Sequence, residues 1–361
     1  MLVEGAAMLK TAATKLTEEG HEVVTYLSPQ LRDLGFELDS GAYTSEDTRT
    51  LTDVIKSRSE YVDYTYVIAP ERVLLETVRF MERRGIPHLN SSPEAIRDTG
   101  NKVSAKRILS EHDIATPESF SGVISFPCVF KPVWGVGSEN TFLVEDKRGL
   151  NLAKKVLPKG FMLEEYLKGA PVSVIVAAGG RRATSLAFNS QRVELGRPPE
   201  QSTYFGGVTP FEHPWRNRVM RLAEKAVECF RGLRGVVGVD FVLSDRPYVV
   251  DLNPRMVTSA VGLCAGYGVS LAGILRGKPV KRRPRHFTAY SHVKSPRRFP
   301  LRAKTVEAVG AIEGVWIPPV SYKNHINKGE SMAFTVVAGE NSKEARAHSY
   351  KLSERIRGVV A

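Results

Sequence analysis

Two carboxylates and one carboxamide interrupt an otherwise apolar hairpin in the second half of the chain. Strands are predicted for Gly238–Val242 and Tyr248–Asn253, with a tight turn between them. Because side chains alternate between the faces of a strand, Asp251 and Asn253 share one face, and Asp240 belongs to the paired strand. These oxygen donors suit Mg²⁺, which completes its octahedron with nucleotide phosphates. An ordinary hairpin with its polar residues facing water fits the same pattern.

A lysine and a glycine-rich turn follow a short β-rich run upstream. Lys131 lies near the end of this run, and Gly135, Gly137 and Ser138 come soon after it. Glycines let backbone N–H groups approach an anion without an intervening Cβ, and the ammonium group supplies the countercharge. The pattern therefore predicts a phosphate-binding loop. A simple hairpin turn is the alternative, and the order of residues is not that of a Walker loop.

Two weaker features complete the set. Lys102 begins a predicted helix, which by itself is typical of a surface lysine. Glu164 and Glu165 end a predicted strand, just before Tyr166 and Leu167, which by itself is typical of a solvated sheet edge.

In this order along the chain, the four features resemble the ATP-grasp superfamily, over about residues 92–265. The resemblance implies ATP and Mg²⁺ (or Mn²⁺) as cofactors, a phosphate-binding lysine pair under a glycine lid, an adenine-binding linker, three metal ligands and an arginine that steadies the transferred phosphoryl group. The residues that match are Lys102 and Lys131 for the phosphates, Gly135, Gly137 and Ser138 for the lid, Glu164 with the backbone of Glu165 and Leu167 for adenine, Asp240, Asp251 and Asn253 for the metal, and Arg255, together with Lys131, for catalysis. The acid that usually binds the ribose falls on Pro171, and Glu194 or a neighbour is expected to replace it.

Within the superfamily, two further regions resemble carboxylate–amine ligases of the tyramine–glutamate ligase group, from methanofuran biosynthesis. They are the segment from Glu4 to Leu9 and the paired segments Asn189–Arg192 and Tyr204–Pro210. Similar segments occur in the pyrrolysine-pathway ligase. The resemblance implies that Arg192, Tyr204, Gly206 and Gly207 contact the substrate.

The expected reaction is attack of a substrate carboxylate on the γ-phosphate of ATP, followed by attack of an amine on the acyl phosphate, so the partners are small molecules. Glu194 or Glu212 is a candidate general base. The alternatives are a related amino-acid ligase, a carboxylase-type ATP-grasp enzyme, and a non-enzymatic polyanion-binding protein.

The elements around these residues predict an α/β and α+β chain in four parts. An open parallel α/β domain, apparently without its first strand, is expected over residues 1–91. The ATP-grasp fold follows as two subdomains, over 92–170 and 171–275. Residues 276–361 are expected to form an irregular basic crossing and a small β-rich tail domain.

Charge and composition narrow the class of protein. The formal net charge is +12, and ten lysines and arginines with no acidic residue fall within 271–302, so the remainder is nearly neutral. Nucleic acid is therefore not the expected partner, since few aromatic residues accompany these cations. Three scattered cysteines and no apolar run of membrane length favour a soluble cytoplasmic protein. The oligomeric state stays open, with a homodimer as one option.

Overall fold

The computed structural model describes residues 2–27, 43–46, 50–180 and 182–360. Its helices are α1 (Leu2–Glu18), α2 (Leu51–Arg58), α3 (Glu71–Arg83), α4 (Pro93–Gly100), α5 (Lys102–Glu111), α6 (Lys147–Val156), α7 (Arg216–Glu228), α8 (Ser259–Tyr267), α9 (Leu271–Leu275), α10 (Ala303–Gly310) and α11 (Ser342–Val360). Its strands are β1 (Val24–Leu27), β2 (Tyr43–Glu46), β3 (Cys128–Pro132), β4 (Phe142–Val144), β5 (Phe161–Glu165), β6 (Ala170–Gly179), β7 (Arg182–Glu194), β8 (Thr203–Thr209), β9 (Arg234–Leu243), β10 (Pro247–Asn253), β11 (Phe287–Lys294), β12 (Phe299–Pro300), β13 (Val315–Ile317), β14 (His325–Ile326) and β15 (Ser331–Gly339). No helix in these ranges is long and apolar enough to cross a membrane.

The N-terminal region has parallel strand pairing, as the alternation of helices and strands predicts. Strand β1 pairs in parallel with β2, and Thr65 forms a parallel bridge with His88. The predicted strands near residues 65 and 88 are thus reduced to a bridge. A helix is predicted from about residue 48, but residues 47–49 lie outside the described ranges, and the helix is seen from Leu51.

A large antiparallel sheet forms the body of the molecule, with strand order β10-β9-β6-β7-β8-β11-β15-β13. Strand β6 is buried along almost its whole length, which agrees with its run of Val, Ile and Ala side chains. Helices α1, α8 and α9 cover one face through a shared apolar cluster. Helix α7 packs on the other face.

A second, smaller antiparallel sheet with order β4-β3-β5 carries α6 on one side. The rings of Phe130 and Phe161 stack inside it, with centroids 4.5 Å apart. Lys131 of β3 donates to the carbonyl of Val250 on β10, so the small sheet meets the large sheet here, and the region between the two sheets at this contact is called the cleft.

The C-terminal strands extend the large sheet. Strand β11 pairs with β8 on one side and β15 on the other, and Tyr290 lies opposite both Gly207 and Val336. Within the region expected to hold the basic crossing and the tail domain, residues 277–286 are irregular, whereas residues 287–294 form strand β11 of the large sheet. Uncharged side chains such as Ala289 and Tyr290, which point to opposite faces, bury this strand on both sides, while the lysines and arginines collect at its ends.

Candidate functional site

The hairpin of β9 and β10 brings the three predicted metal ligands together. Asp251 lies directly opposite Asp240 because the register shifts between Val249 and Asp251. Asn253 donates from Nδ2 to Asp240 Oδ2 at 3.2 Å, and Gln191 donates from Nε2 to Asp240 Oδ1 at 2.8 Å. Gln191, on β7, is a contact that the sequence reasoning missed.

The two neighbouring carboxylates of Asp240 and Asp251 favour the binding of a cation between them. Burial and the neighbouring charge of Asp251 raise the pKa of Asp240 to about 7. In the described ranges there is no cluster of three or more His, Cys, Asp or Glu side chains arranged to hold a metal. Two carboxylates and one amide nevertheless fit Mg²⁺, because this ion takes few protein ligands and retains water and phosphate oxygens for the rest.

Lys102 connects two parts of the site. One is the β9–β10 hairpin, which carries the predicted metal ligands and is called the metal hairpin, and the other is the loop of residues 135–138, called the glycine loop. Its position follows from Asn101, whose side chain accepts from the backbone of Val103 and Ser104 and so begins α5. The Nζ atom lies 3.0 Å from both carboxylate oxygens of Asp251 and donates to the carbonyl of Gly135 at 3.2 Å. Burial opposes its charge, but Asp251 outweighs burial and raises the pKa of Lys102, so the ammonium group stays charged.

Lys131 and Glu164 form the core of a second charged group, which also includes Lys106. Lys131 Nζ lies 2.6 Å from Glu164 Oε1 and donates to the carbonyl of Val250 at 3.2 Å. Lys106 donates to Glu164 Oε2 at 2.7 Å. Burial would raise the pKa of Glu164, but the two lysines hold it below its ordinary value. Sequence reasoning missed Lys106, although its spacing of four from Lys102 places both on one face of a helix.

Glycine is favoured at two positions of the glycine loop, by a left-handed backbone at Gly137 and by a close contact at Gly135. Gly137 has φ +62°, in the left-handed region. A Cβ at Gly135 would lie 2.5 Å from Cγ of Pro132. Ser138 shares the left-handed conformation, with φ +62°. The loop lies beside Lys102 and therefore beside the metal hairpin.

The predicted linker runs from the end of β5 toward β6. The backbone N–H of Glu165 donates to the carbonyl of Glu118 at 2.9 Å, and its side chain accepts from the N–H of Glu118 at 2.8 Å. Leu167 follows the end of the strand. Pro171 lies within β6, opposite Val242, and offers no side-chain group for a ribose.

Arg255 lies in a buried ion pair with a residue that the sequence reasoning did not select. Its Nε donates to Glu71 Oε1 at 3.0 Å, and its guanidinium also contacts the carbonyl of Met256 at 3.1 Å and Asn253 Oδ1 at 3.4 Å. Glu71 begins α3 in the N-terminal region. Arg255 is therefore held from two sides, by its own hairpin and by α3.

The four predicted substrate residues separate into two groups. Tyr204 is half-buried, and its ring centroid lies 5.8 Å from that of His292. Gly206 and Gly207 pack against neighbouring strands, where a Cβ would lie 2.0 Å from the carbonyl oxygen of Tyr290 or of Ser190, respectively. They thus allow close strand packing.

Arg192 lies opposite Gly206 in the sheet, but its side chain is exposed, as are those of Glu194 and Glu212, the two acids considered as bases. Arg192 pairs with Glu194 at 2.9 Å and stacks over Phe205 at 4.4 Å.

Comparisons with known proteins agree with this arrangement. The ATP-grasp domain family matches residues 99–259, which include Lys102, Lys131, the metal hairpin and Arg255. A tyramine–L-glutamate ligase from Methanocaldococcus fervens is 27% identical over 215 residues, or 59% of this chain. The match covers 65% of that relative, so the chain spans less than two thirds of its length.

Two solved structures share the fold over nearly the whole chain. An ATP-grasp superfamily protein from Archaeoglobus fulgidus has a TM-score of 0.67 and 24% identity, and the match covers 93% of each chain. An L-amino acid ligase from Bacillus licheniformis has a TM-score of 0.69 and 15% identity, over 97% of this chain and 94% of the other.

Proposed function

We propose that this chain, in which residues 99–259 form an ATP-grasp domain, is an ATP-dependent ligase that joins a carboxylate to an amine. The observation that carries the proposal is the contact of Lys102 with both Asp251 and the glycine loop. This contact joins the loop that we propose binds phosphate to the two carboxylates that we propose bind the metal, at one end of the cleft. Such a combination suits phosphoryl transfer from a nucleotide, where positioning and charge stabilisation supply most of the catalysis.

Each residue of the site has a separate role in the proposed reaction. Lys102 and Lys131 neutralise the phosphates, and Asp240, Asp251 and Asn253 would hold Mg²⁺, which supplies charge neutralisation between phosphate oxygens when bound. A substrate carboxylate oxygen attacks the γ-phosphorus and ADP leaves. The amine then attacks the acyl carbon, phosphate leaves and the amine loses a proton. Arg255 stabilises the negative charge that develops on the transferred group.

For the substrates, we propose L-glutamate as the acid and tyramine as the amine, as in methanofuran biosynthesis. The support is the 27% identity to the Methanocaldococcus fervens ligase. This assignment is finer than that of the reaction and can fail independently of it.

The test is ADP release from Mg²⁺-ATP with a panel of acids and amines, including L-glutamate with tyramine, and bicarbonate as a separate arm. The expected result is ADP release that requires one acid and one amine, with a product whose mass equals their sum minus water. ADP release that depends on bicarbonate instead would favour a carboxylase and overturn the ligase assignment. Turnover with a different acid and amine would retain the reaction and overturn only the substrates.

A further inference from the structure

A carboxylate from α1 reaches the same end of the cleft. Glu4 is half-buried, and one of its oxygens accepts a hydrogen bond from Thr258 Oγ1. The other oxygen, Oε2, lies 3.9 Å from the position that a Cβ would occupy at Gly137. Thr258 follows Arg255 by three residues, and Gly137 belongs to the glycine loop. Glu4 therefore lies between the loop expected over the phosphates and the end of the metal hairpin.

The large sheet provides the opposite wall beside Glu4. Paired residues share a face of a sheet, so the pairing of Gln191 with Gly207 and of Gly207 with Tyr290 puts Gln191 and Tyr290 on one face. Gln191 contacts Asp240 on that face, and His292 follows Tyr290 by two residues. One row of side chains thus leads from the metal carboxylates toward Glu4.

Two aromatic hydroxyl groups belong to this row. Tyr204 lies within electrostatic range of both Glu4 and Asp240, and it packs edge-on against His292. The Tyr290 hydroxyl is fully buried and lies beside the hydroxyl groups of Tyr204 and Ser259. A Cβ at Gly207 would lie 2.6 Å from this hydroxyl, so the glycine makes room for it. The two tyrosine hydroxyl groups therefore form one polar group on the face of the sheet that carries Gln191 and His292.

Among the described residues, no lysine or arginine side chain lies within ion-pair distance of Glu4. Arg255 and Lys294 act on Glu4 at longer range, but Arg255 is paired with Glu71. Burial would raise the pKa of Glu4, but the attraction of His292, the hydrogen bond from Thr258 and the charges of Arg255 and of the N-terminal amino group outweigh it. The pKa therefore lies below its ordinary value. Glu4 is therefore a carboxylate at neutral pH, suited to binding a cation and poorly suited to taking a proton.

We propose that Glu4 binds a primary ammonium group of a substrate at the phosphate end of the cleft, with Tyr204 and Tyr290 lining the same subsite. This inference rests on the proposed ligase function and deepens it by assigning a residue to the nitrogen-bearing substrate. The ammonium group has two sources in that reaction: the amine that attacks, and the α-ammonium of an amino-acid donor.

The test compares wild type with Glu4→Gln in the ADP-release assay. The amide oxygen of glutamine still accepts from Thr258, so the variant removes the charge while retaining the tether of α1. A charge-assisted hydrogen bond contributes about 1.5–3 kcal/mol, which corresponds to an increase of roughly 10- to 100-fold in KM for the ammonium-bearing substrate. The KM for ATP and the thermal unfolding midpoint are expected to stay within about twofold and about 2 °C, respectively, of wild type. The matched control is Glu18→Gln, which alters an exposed carboxylate of the same helix.

A second arm identifies the source of the ammonium group by replacing L-glutamate with glutarate, which lacks it. If Glu4 binds the donor, glutarate is a poor substrate for wild type, and Glu4→Gln no longer distinguishes the two acids. If Glu4 binds the attacking amine, the variant raises the KM for the amine with either acid. Either result supports the proposal.

An unchanged KM for both substrates in Glu4→Gln, with wild type active, would overturn the assignment of Glu4 and leave the ligase function intact. A lowered unfolding midpoint with equal losses for ATP and both substrates would show that Glu4 has only a structural role. Absence of amine-dependent ADP release in wild type would contradict the ligase function itself. The failures of the two proposals are therefore distinguishable.

Discussion

Arg255 Nε donates to Glu71 Oε1 at 3.0 Å, and this ion pair joins the end of the metal hairpin to the first turn of α3. The side chains are only 10% and 6% exposed. An arginine paired through Nε keeps its terminal nitrogens for other acceptors, here Met256 and Asn253. The N-terminal region thus helps to orient a side chain of the ATP-grasp domain.

Glu71→Ala is expected to destabilise the protein by about 3–5 kcal/mol, because it leaves the buried charge of Arg255 without its partner. The measurement is the free energy of unfolding in urea. The control is Glu76→Ala, an exposed position on the same helix, for which a change within about 0.5 kcal/mol is expected. Equal effects of the two substitutions would contradict a stabilising role for the ion pair.

Arg255→Ala is expected to lower kcat by about 10²–10³-fold, by analogy with the loss of one donor that stabilises a developing negative charge. The KM for ATP should change much less if the arginine acts mainly on the transferred group. Steady-state kinetics at saturating Mg²⁺ measure both quantities. An unchanged kcat would remove Arg255 from the site.

Asp251→Asn is expected to raise the Mg²⁺ concentration needed for half-maximal turnover and to lower kcat/KM by about 10²-fold, because it removes a metal-binding charge and the partner of Lys102. Titration of the ADP-release rate with Mg²⁺ measures the effect. Asp245→Asn, an exposed substitution in the turn of the same hairpin, is the control and should behave like wild type. Full activity of Asp251→Asn would rule out the metal assignment.

His292 is expected to make stability depend on pH in mild acid. Burial lowers its pKa from 6.5 to about 4, against the opposing attraction of Glu4. Between these values the unfolded chain binds more protons than the folded one, so this contribution to stability is complete above about pH 6.5 and is lost as the pH falls toward 4.

The measurement is urea unfolding of wild type and His292→Gln at pH 4.5 and pH 7.5. The variant should lose less stability on acidification than wild type does. His348→Gln, at a half-exposed position, should retain the wild-type loss. An identical loss in wild type and in His292→Gln would show that His292 does not titrate in this way.

Local patterns were sufficient to predict much of the nucleotide site. The alternation of a strand predicted that Asp251 and Asn253 share a face, and the register with Asp240 confirms it. The capping residue Asn101 and the spacing of the helix that follows were also visible in the sequence, although Lys106 was not selected. These features depend on neighbours within a few residues, where backbone geometry alone relates one side chain to the next.

Contacts between distant segments were decided by the tertiary structure. Glu71 and Arg255 are 184 residues apart, and Glu4 and Thr258 are 254 residues apart. No periodicity relates such residues, because their contact depends on how helices α1 and α3 pack beside the large sheet. The same is true of β11, which pairs with β8 on one side and β15 on the other. Only this pairing makes β11 part of the large sheet.

The sequence by itself therefore determined which chemical groups the protein brings to the proposed nucleotide and metal site, since strand alternation and helix caps are local consequences of residue type. Only the tertiary structure decided which carboxylates face that site from the N-terminal region. Burial in a packed core selects those partners, and packing is a property of the whole chain.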